Sequence, residues 1–166
     1  MKGTDGRTMT LRRIGPVVAL MLVLGLATAA CSKSSSDSGI PTQSVFVQKF
    51  RFHGLPTSIP GGDMIINFTN RESLPITHEM ILFALPEGKT SQDVIDDSKT
   101  KGADAEADFL SFGEIGEVDT GSSKAQTFDL PAGTYAIACW EDGNLGGGKG
   151  KVHAARGMVF QFTVTS

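Results

Sequence analysis

Three side chains in the carboxy-terminal third of this 166-residue chain have the chemistry of a soft metal site: Cys139, His153 and Met158. Cys139 ends a short β-prone run, while His153 and Met158 flank the start of the next one. A thiolate, an imidazole and a thioether together select copper over magnesium or calcium. A second imidazole from His78 would complete a trigonal set of two histidines and one cysteine, with a weak axial methionine.

The elements that must position these side chains are predicted to be strands. Short runs rich in valine, isoleucine and phenylalanine are separated by glycine and proline turn signals, and they lie at 45–52, 63–69, 80–85, 125–130, 134–139 and 158–165. A helix is predicted to start at residues 92–95 with Ser91 as its cap, and the acidic segment 103–108 is either a second short helix or a loop. The pattern predicts an all-β, Greek-key sandwich or barrel with one short helix.

The amino-terminal segment has the pattern of a targeting signal rather than of a folded domain. Arg12 and Arg13 precede an apolar run at 14–26 and small residues at 27–30, which is typical of a secretory signal peptide over 1–30. An uncleaved anchor helix is the alternative, although glycine and proline interrupt the run and it is shorter than a comfortable membrane span. The sequence therefore predicts an exported protein.

Cys31 directly follows Thr-Ala-Ala, which resembles the lipobox of bacterial lipoproteins, where the cysteine is lipidated. Residues 31–44 form a serine-rich stretch too polar to order itself, so a flexible linker is predicted between the lipidated Cys31 and a domain at 45–166. The predicted location is the cell membrane, by a lipid anchor, facing the periplasm or the cell exterior. Lipidation would leave Cys139 without a disulfide partner in an oxidising compartment, so its thiol must be buried or bound.

At these residues the chain resembles the cupredoxins, the blue copper domains such as plastocyanin and azurin. The matching pieces are the segment 67–79 ending in Thr-His-Glu, the turn at 130–135, Tyr135 four residues before Cys139, and the His-x₄-Met spacing of His153 and Met158. The resemblance covers residues 45–166, and it implies a Greek-key β-sandwich that binds one copper ion through His78, Cys139, His153 and Met158. Thirteen residues separate Cys139 from His153, a longer loop than in the best-known members.

Other chemistry fits the residues less well. His53 is an alternative imidazole, but its place at a strand end favours a surface or turn role. Cys139 and His153 could form a nucleophile and base, yet nothing in the sequence supplies an obvious orienting group. The run at 143–149 fits the start of a phosphate-binding loop, but Gly150 replaces the required hydroxyl residue.

Charge argues against nucleic acid as a partner. The chain carries a net charge of −3, and the first 30 residues hold four basic side chains and one acidic one, so the remainder has a net charge of −6. Clustered Lys and Arg are needed to neutralise phosphates. We interpret the chain as a one-electron carrier with an unidentified redox partner protein and no enzymatic activity. A copper carrier that delivers metal to an oxidase and a metal-free binding module are the alternatives.

The anchor leads to a test. Replacing Cys31 by Ser should remove the acylated residue, and with it a membrane attachment that each buried methylene stabilises by about 0.8 kcal/mol. Membrane fractionation and intact mass should show a protein that is released or left unprocessed. Unchanged mass and fractionation of Cys31→Ser would contradict the lipoprotein prediction.

Overall fold

Two β-sheets and one α-helix make up the computed structural model, which describes residues 39–142 and 151–166. The predicted signal peptide at 1–30, Cys31, most of the linker and residues 143–150 lie outside the described residues. In chain order the described elements are β1 (Thr42–Gln48), β2 (Arg51–His53), β3 (Ser58–Pro60), β4 (Gly62–Asn70), β5 (His78–Ala84), α1 (Ser91–Lys101), a 3-10 helix (Gly102–Asp108), β6 (Leu110–Val118), β7 (Ser123–Leu130), β8 (Gly133–Ala138), a 3-10 turn (Ala154–Arg156) and β9 (Val159–Thr165).

The sheets are mixed. One has the strand order β2-β1-β4-β7 and the other has the order β3-β9-β8-β5-β6. The pairs β1–β4 and β3–β9 are parallel, whereas the other pairs are antiparallel. Each sheet turns one apolar face to the other, and side chains such as Val47, Phe68, Leu82 and Phe162 form the core between them. The predicted β-sandwich is confirmed.

The second sheet is buried on its outer face as well. A separate cluster that includes Phe83, Val94 and Trp140 lies between this face and α1. Asp93 accepts hydrogen bonds from the backbone N–H and the hydroxyl of Thr90, so Thr90 rather than Ser91 caps the helix. The acidic segment is the 3-10 helix, the first of its two predicted alternatives. No helix among the described residues is long and apolar enough to cross a membrane.

Two strand predictions need correction. The predicted strand 45–52 is two strands, because Lys49 and Phe50 take left-handed φ values of 54° and 55° and reverse the chain. β1 also begins at Thr42, three residues before the predicted start of the domain at residue 45. The sequence predicts neither the three-residue β3 nor β6, whose apolar pattern is interrupted by glycines. At one of them, Gly113 (φ 132°), a Cβ atom would lie 3.0 Å from the Gln126 amide nitrogen.

Asn70 organises the loop that leads to β5. Its buried side-chain amide donates to the carbonyls of Ile76 (2.7 Å) and Val118 (2.9 Å), and its oxygen accepts the backbone N–H of Glu72 (3.1 Å). These three bonds fix residues 71–77 against the end of β6. The position of His78, the first residue of β5, therefore depends on Asn70.

Replacing Asn70 by Ala should lower the free energy of unfolding by about 2 to 4 kcal/mol, because the carbonyls of Val118 and Ile76 both lose the buried amide donor and Ile76 keeps only the Thr120 hydroxyl. Urea unfolding of Asn70→Ala and of Asn67→Ala would measure this, since Asn67 is exposed on the same strand. The Asn67 variant should stay near the parent protein. Equal effects of the two substitutions would show that the loop does not depend on Asn70.

Candidate metal centre

Three neighbouring strands bring the predicted ligands to one end of the sandwich. β5 and β8 pair antiparallel with Ile81 opposite Ala138, and β8 and β9 pair with Ala138 opposite Val159. His78 begins β5, and Cys139 directly follows β8. His153 and Met158 come just before β9. The strand registers therefore gather side chains from two distant parts of the sequence.

Three potential ligand atoms form a small triangle. His78 Nδ1 lies 3.0 Å from His153 Nδ1, and Cys139 Sγ lies 3.3 Å from His153 Nδ1 and 3.7 Å from His78 Nδ1. All three residues are fully buried. An ion about 2.0 to 2.3 Å from each imidazole nitrogen or thiolate sulfur requires ligand atoms about 3 to 4 Å apart. The triangle has the size that one metal ion needs.

Backbone hydrogen bonds close the chain around this triangle. The N–H of His153 donates to the carbonyl of Glu141 (2.9 Å), and the N–H of Ala154 donates to the carbonyl of Cys139 (2.7 Å). These bonds form the base of the long segment between the two ligands. The mutual position of Cys139 and His153 is thus fixed at the base, by residues that flank the segment.

Met158 follows His153 in a tight turn. Its N–H donates to the carbonyl of His153 (3.1 Å), and its own carbonyl accepts the N–H of Cys139 (3.3 Å). Gly157 ends the 3-10 turn with φ 94°, a left-handed value that glycine adopts at no steric cost. The fully buried Met158 side chain belongs to the same core cluster as Cys139. The His-x₄-Met spacing therefore corresponds to one closed turn.

Burial sets the protonation of the three groups. Desolvation lowers the pKa of His153 to about 4, with repulsion from His78 and Arg156 adding to the effect. Desolvation also lowers the pKa of His78, against the opposing attraction of the Glu72 carboxylate. The same cause raises the pKa of the Cys139 thiol. At neutral pH the imidazoles are neutral and can bind a metal, whereas the thiol must release a proton to do so.

His53, the alternative imidazole, lies elsewhere. It is exposed on β2, its ring stacks on Phe46 at 5.0 Å between centroids, and its Nε2 lies 3.3 Å from the carbonyl of Gln48. His53 therefore does not join the triangle, which agrees with the surface role predicted from its position.

Sequence reasoning missed several residues around the triangle. Phe50 packs edge-on against both imidazoles, with centroid distances of 5.4 Å to His78 and 5.0 Å to His153. Its apolar character also suits an ordinary core strand, so its type carries no information about this role.

Glu79 and Trp140 tie the two ligand-bearing strands together. A Glu79 carboxylate oxygen accepts the backbone N–H of Trp140 (2.7 Å), and the Trp140 indole donates to Ser98 of α1 (3.0 Å). Desolvation, together with neighbouring carboxylates, raises the pKa of Glu79 to about 7, although the Trp140 N–H acts in the opposite direction. Neighbouring side chains on a strand point to opposite faces of the sheet. The Glu79 side chain therefore lies on the face that packs against α1, and the His78 side chain lies on the face toward the core.

Comparisons with known proteins place the fold. No family model matches the chain, and no curated protein matches it significantly. Solved structures do match. A dithionite-reduced auracyanin from Roseiflexus castenholzii is 18% identical with a TM-score of 0.55, over 75% of this chain and 97% of the other. Auracyanin B is 23% identical with a TM-score of 0.51, over 76% and 89%. Auracyanin A from Chloroflexus aurantiacus, described as a blue copper protein, is 19% identical with a TM-score of 0.51, over 76% and 100%. The chain has the cupredoxin fold, as its sequence predicts.

The low pKa of His153 should make the metal-free protein sensitive to acid. Because the folded state holds this proton less readily than the unfolded chain, its contribution to stability is present above pH 6.5 and is lost as the pH falls toward 4. Between pH 7 and pH 5 this loss is about 2 kcal/mol.

Urea unfolding of metal-free protein at the two pH values would measure the loss, with His153→Gln and the exposed His53→Gln as a matched pair. The pH-dependent loss should shrink by about 2 kcal/mol in His153→Gln alone. An unchanged pH dependence of His153→Gln would show that His153 is not held neutral by burial.

Proposed function

We propose that this chain binds one copper ion through His78 Nδ1, His153 Nδ1 and Cys139 Sγ, with Met158 as a weaker fourth ligand, and that it carries single electrons. The observation that carries the proposal is the buried triangle of ligand atoms, with edges of 3.0, 3.3 and 3.7 Å. A bound cation would explain why two imidazole nitrogens and a sulfur lie this close together in a buried site.

The choice of copper rests on the ligands. Two imidazoles and one thiolate in a trigonal set, with a long contact to a methionine, are the donor set of electron-transfer copper sites. Hard ions such as magnesium or calcium prefer oxygen ligands, which the triangle does not contain. The similarity in fold to a protein described as a blue copper protein supports this choice.

Rigidity favours electron transfer as the role. Copper, when bound, supplies a one-electron couple. The protein fixes His78 through the strand pairing of β5 and the Asn70 network, and it fixes Cys139 and His153 through the backbone bonds at the base of the loop. Phe50 shields both imidazole rings on one side. Ligands that cannot rearrange keep one geometry for both oxidation states, which lowers the cost of electron exchange.

The cellular setting is also part of the proposal. A lipid on Cys31 would hold the domain at the cell envelope, with residues 31–41 as a tether ahead of β1. The partner would be a redox protein that reaches the same membrane surface. These features rest on the sequence pattern of the amino-terminal segment.

Copper titration of residues 39–166 and of two variants tests the ligand set. The parent should take up one copper ion per chain and show an intense visible band that disappears reversibly on reduction. His78→Ala should abolish or greatly weaken uptake because it removes one corner of the triangle, whereas His53→Ala should bind like the parent. Equal losses from both variants, or a loss only from His53→Ala, would overturn the assignment.

The same titration separates the alternative roles. Tight Cu(I) binding without a strong visible band would favour metal carriage over electron transfer. A folded protein that takes up no copper would contradict the proposal and favour a metal-free binding module.

A further inference from the structure

Glu72 lies beside the metal centre with its carboxylate almost fully buried. Its side chain is 7% exposed, and it sits in the loop between β4 and β5. One oxygen, Oε1, accepts the backbone N–H of Phe50 at 2.6 Å and also lies 3.6 Å from Nε2 of His78. That nitrogen has no hydrogen-bond partner. A single carboxylate oxygen thus faces both a potential ligand and the aromatic residue that covers the site.

The first consequence concerns the proton of His78. A neutral imidazole carries one proton, on either Nδ1 or Nε2, and a metal binds the nitrogen without it. At 3.6 Å the contact is longer than a hydrogen bond, but in a buried setting the attraction between a carboxylate and an N–H dipole is strong. A lone pair on Nε2 would instead face negative charge. The carboxylate favours the proton on Nε2, which leaves Nδ1 free within the triangle.

The second consequence concerns Phe50. Lys49 and Phe50 are consecutive non-glycine residues with left-handed φ values of 54° and 55°, a conformation that costs roughly 1 to 2 kcal/mol per residue. The bond from the Phe50 N–H to the buried carboxylate offsets part of this cost, because a charged acceptor makes the stronger kind of hydrogen bond. In this conformation the Phe50 ring packs against both imidazoles.

We infer that Glu72 is a positioning residue of the metal centre, which holds the proton of His78 on Nε2 and at the same time holds Phe50 over the two imidazole rings. Carboxylates that orient metal-binding histidines raise the basicity of the imidazole and strengthen metal binding. The inference rests on the proposed function in so far as His78 is a ligand. Its first part concerns the metal-free protein and can be tested without copper.

Nitrogen-15 NMR of the histidine rings in the metal-free protein provides that test, with three variants. The parent should show His78 with its proton on Nε2. Glu72→Ala should lose this preference together with the contacts between Phe50 and the histidines. Glu72→Gln keeps a neutral acceptor for the Phe50 N–H, so the ring contacts should remain while the preference weakens. Glu87→Gln, which removes an exposed carboxylate beyond the far end of β5, should behave like the parent.

The reduction potential of the copper-loaded protein provides an independent test. Glu72→Gln should lower the preference for Cu(II) over Cu(I) roughly tenfold, which raises the reduction potential by 59 mV for a one-electron couple, and Glu87→Gln should not. A His78 proton on Nδ1 in the parent, or a tautomer unaffected by Glu72→Ala, would overturn the inference even if copper binds. Failure of the parent to bind copper would overturn the proposed function, and the NMR result would still decide the role of Glu72.

Discussion

The structure depends on the burial of three polar ligand atoms that have mainly one another as neighbours. Two imidazole nitrogens and a thiol sulfur lie within 3.7 Å of one another, on residues that are fully buried at one end of the sandwich. Burial of polar groups without strong partners is costly, and here it keeps the imidazoles neutral and the thiol protonated. That cost becomes useful when a cation binds, because the neutral imidazoles can coordinate it directly, and the thiol can do so once it releases its proton.

The rest of the fold keeps these atoms in place. Cys139 and Met158 pack in the core between the two sheets. Trp140, which follows Cys139 in the chain, packs in the second cluster, between the outer face of the sheet and α1. Hydrogen bonds from Asn70 fix the approach to His78, and backbone bonds at Glu141 and Cys139 close the long segment before His153. The length of that segment is therefore compatible with a rigid site, since loop closure costs little once the base is bonded.

Three residues that the sequence predicts as ligands, His78, Cys139 and His153, lie together in the structure, and they could be predicted because metal chemistry restricts residue types. Few residues other than Cys139, His153 and Met158 could supply a soft site, and the spacing of His153 and Met158 resembles that of the cupredoxins. Strands with continuous apolar runs could also be predicted, because burial in a β-sheet core restricts their residue types. β6 was missed because glycines break its pattern, and 45–52 was read as one strand because the turn at Lys49 and Phe50 contains no glycine. Glu72 and Asn70 could not be found, since their roles arise from contacts with residues up to 48 positions away.

A crystal structure of the copper-loaded domain, residues 39–166, tests the central claim most directly. The account predicts a single ion bound by Nδ1 of His78, Nδ1 of His153 and Sγ of Cys139. The distances between these three atoms should stay within about 0.5 Å of those in the metal-free fold, a tolerance that preorganised sites require. Copper bound at other residues, or ligands that move by several ångströms to reach it, would contradict the claim that the fold builds the site in advance.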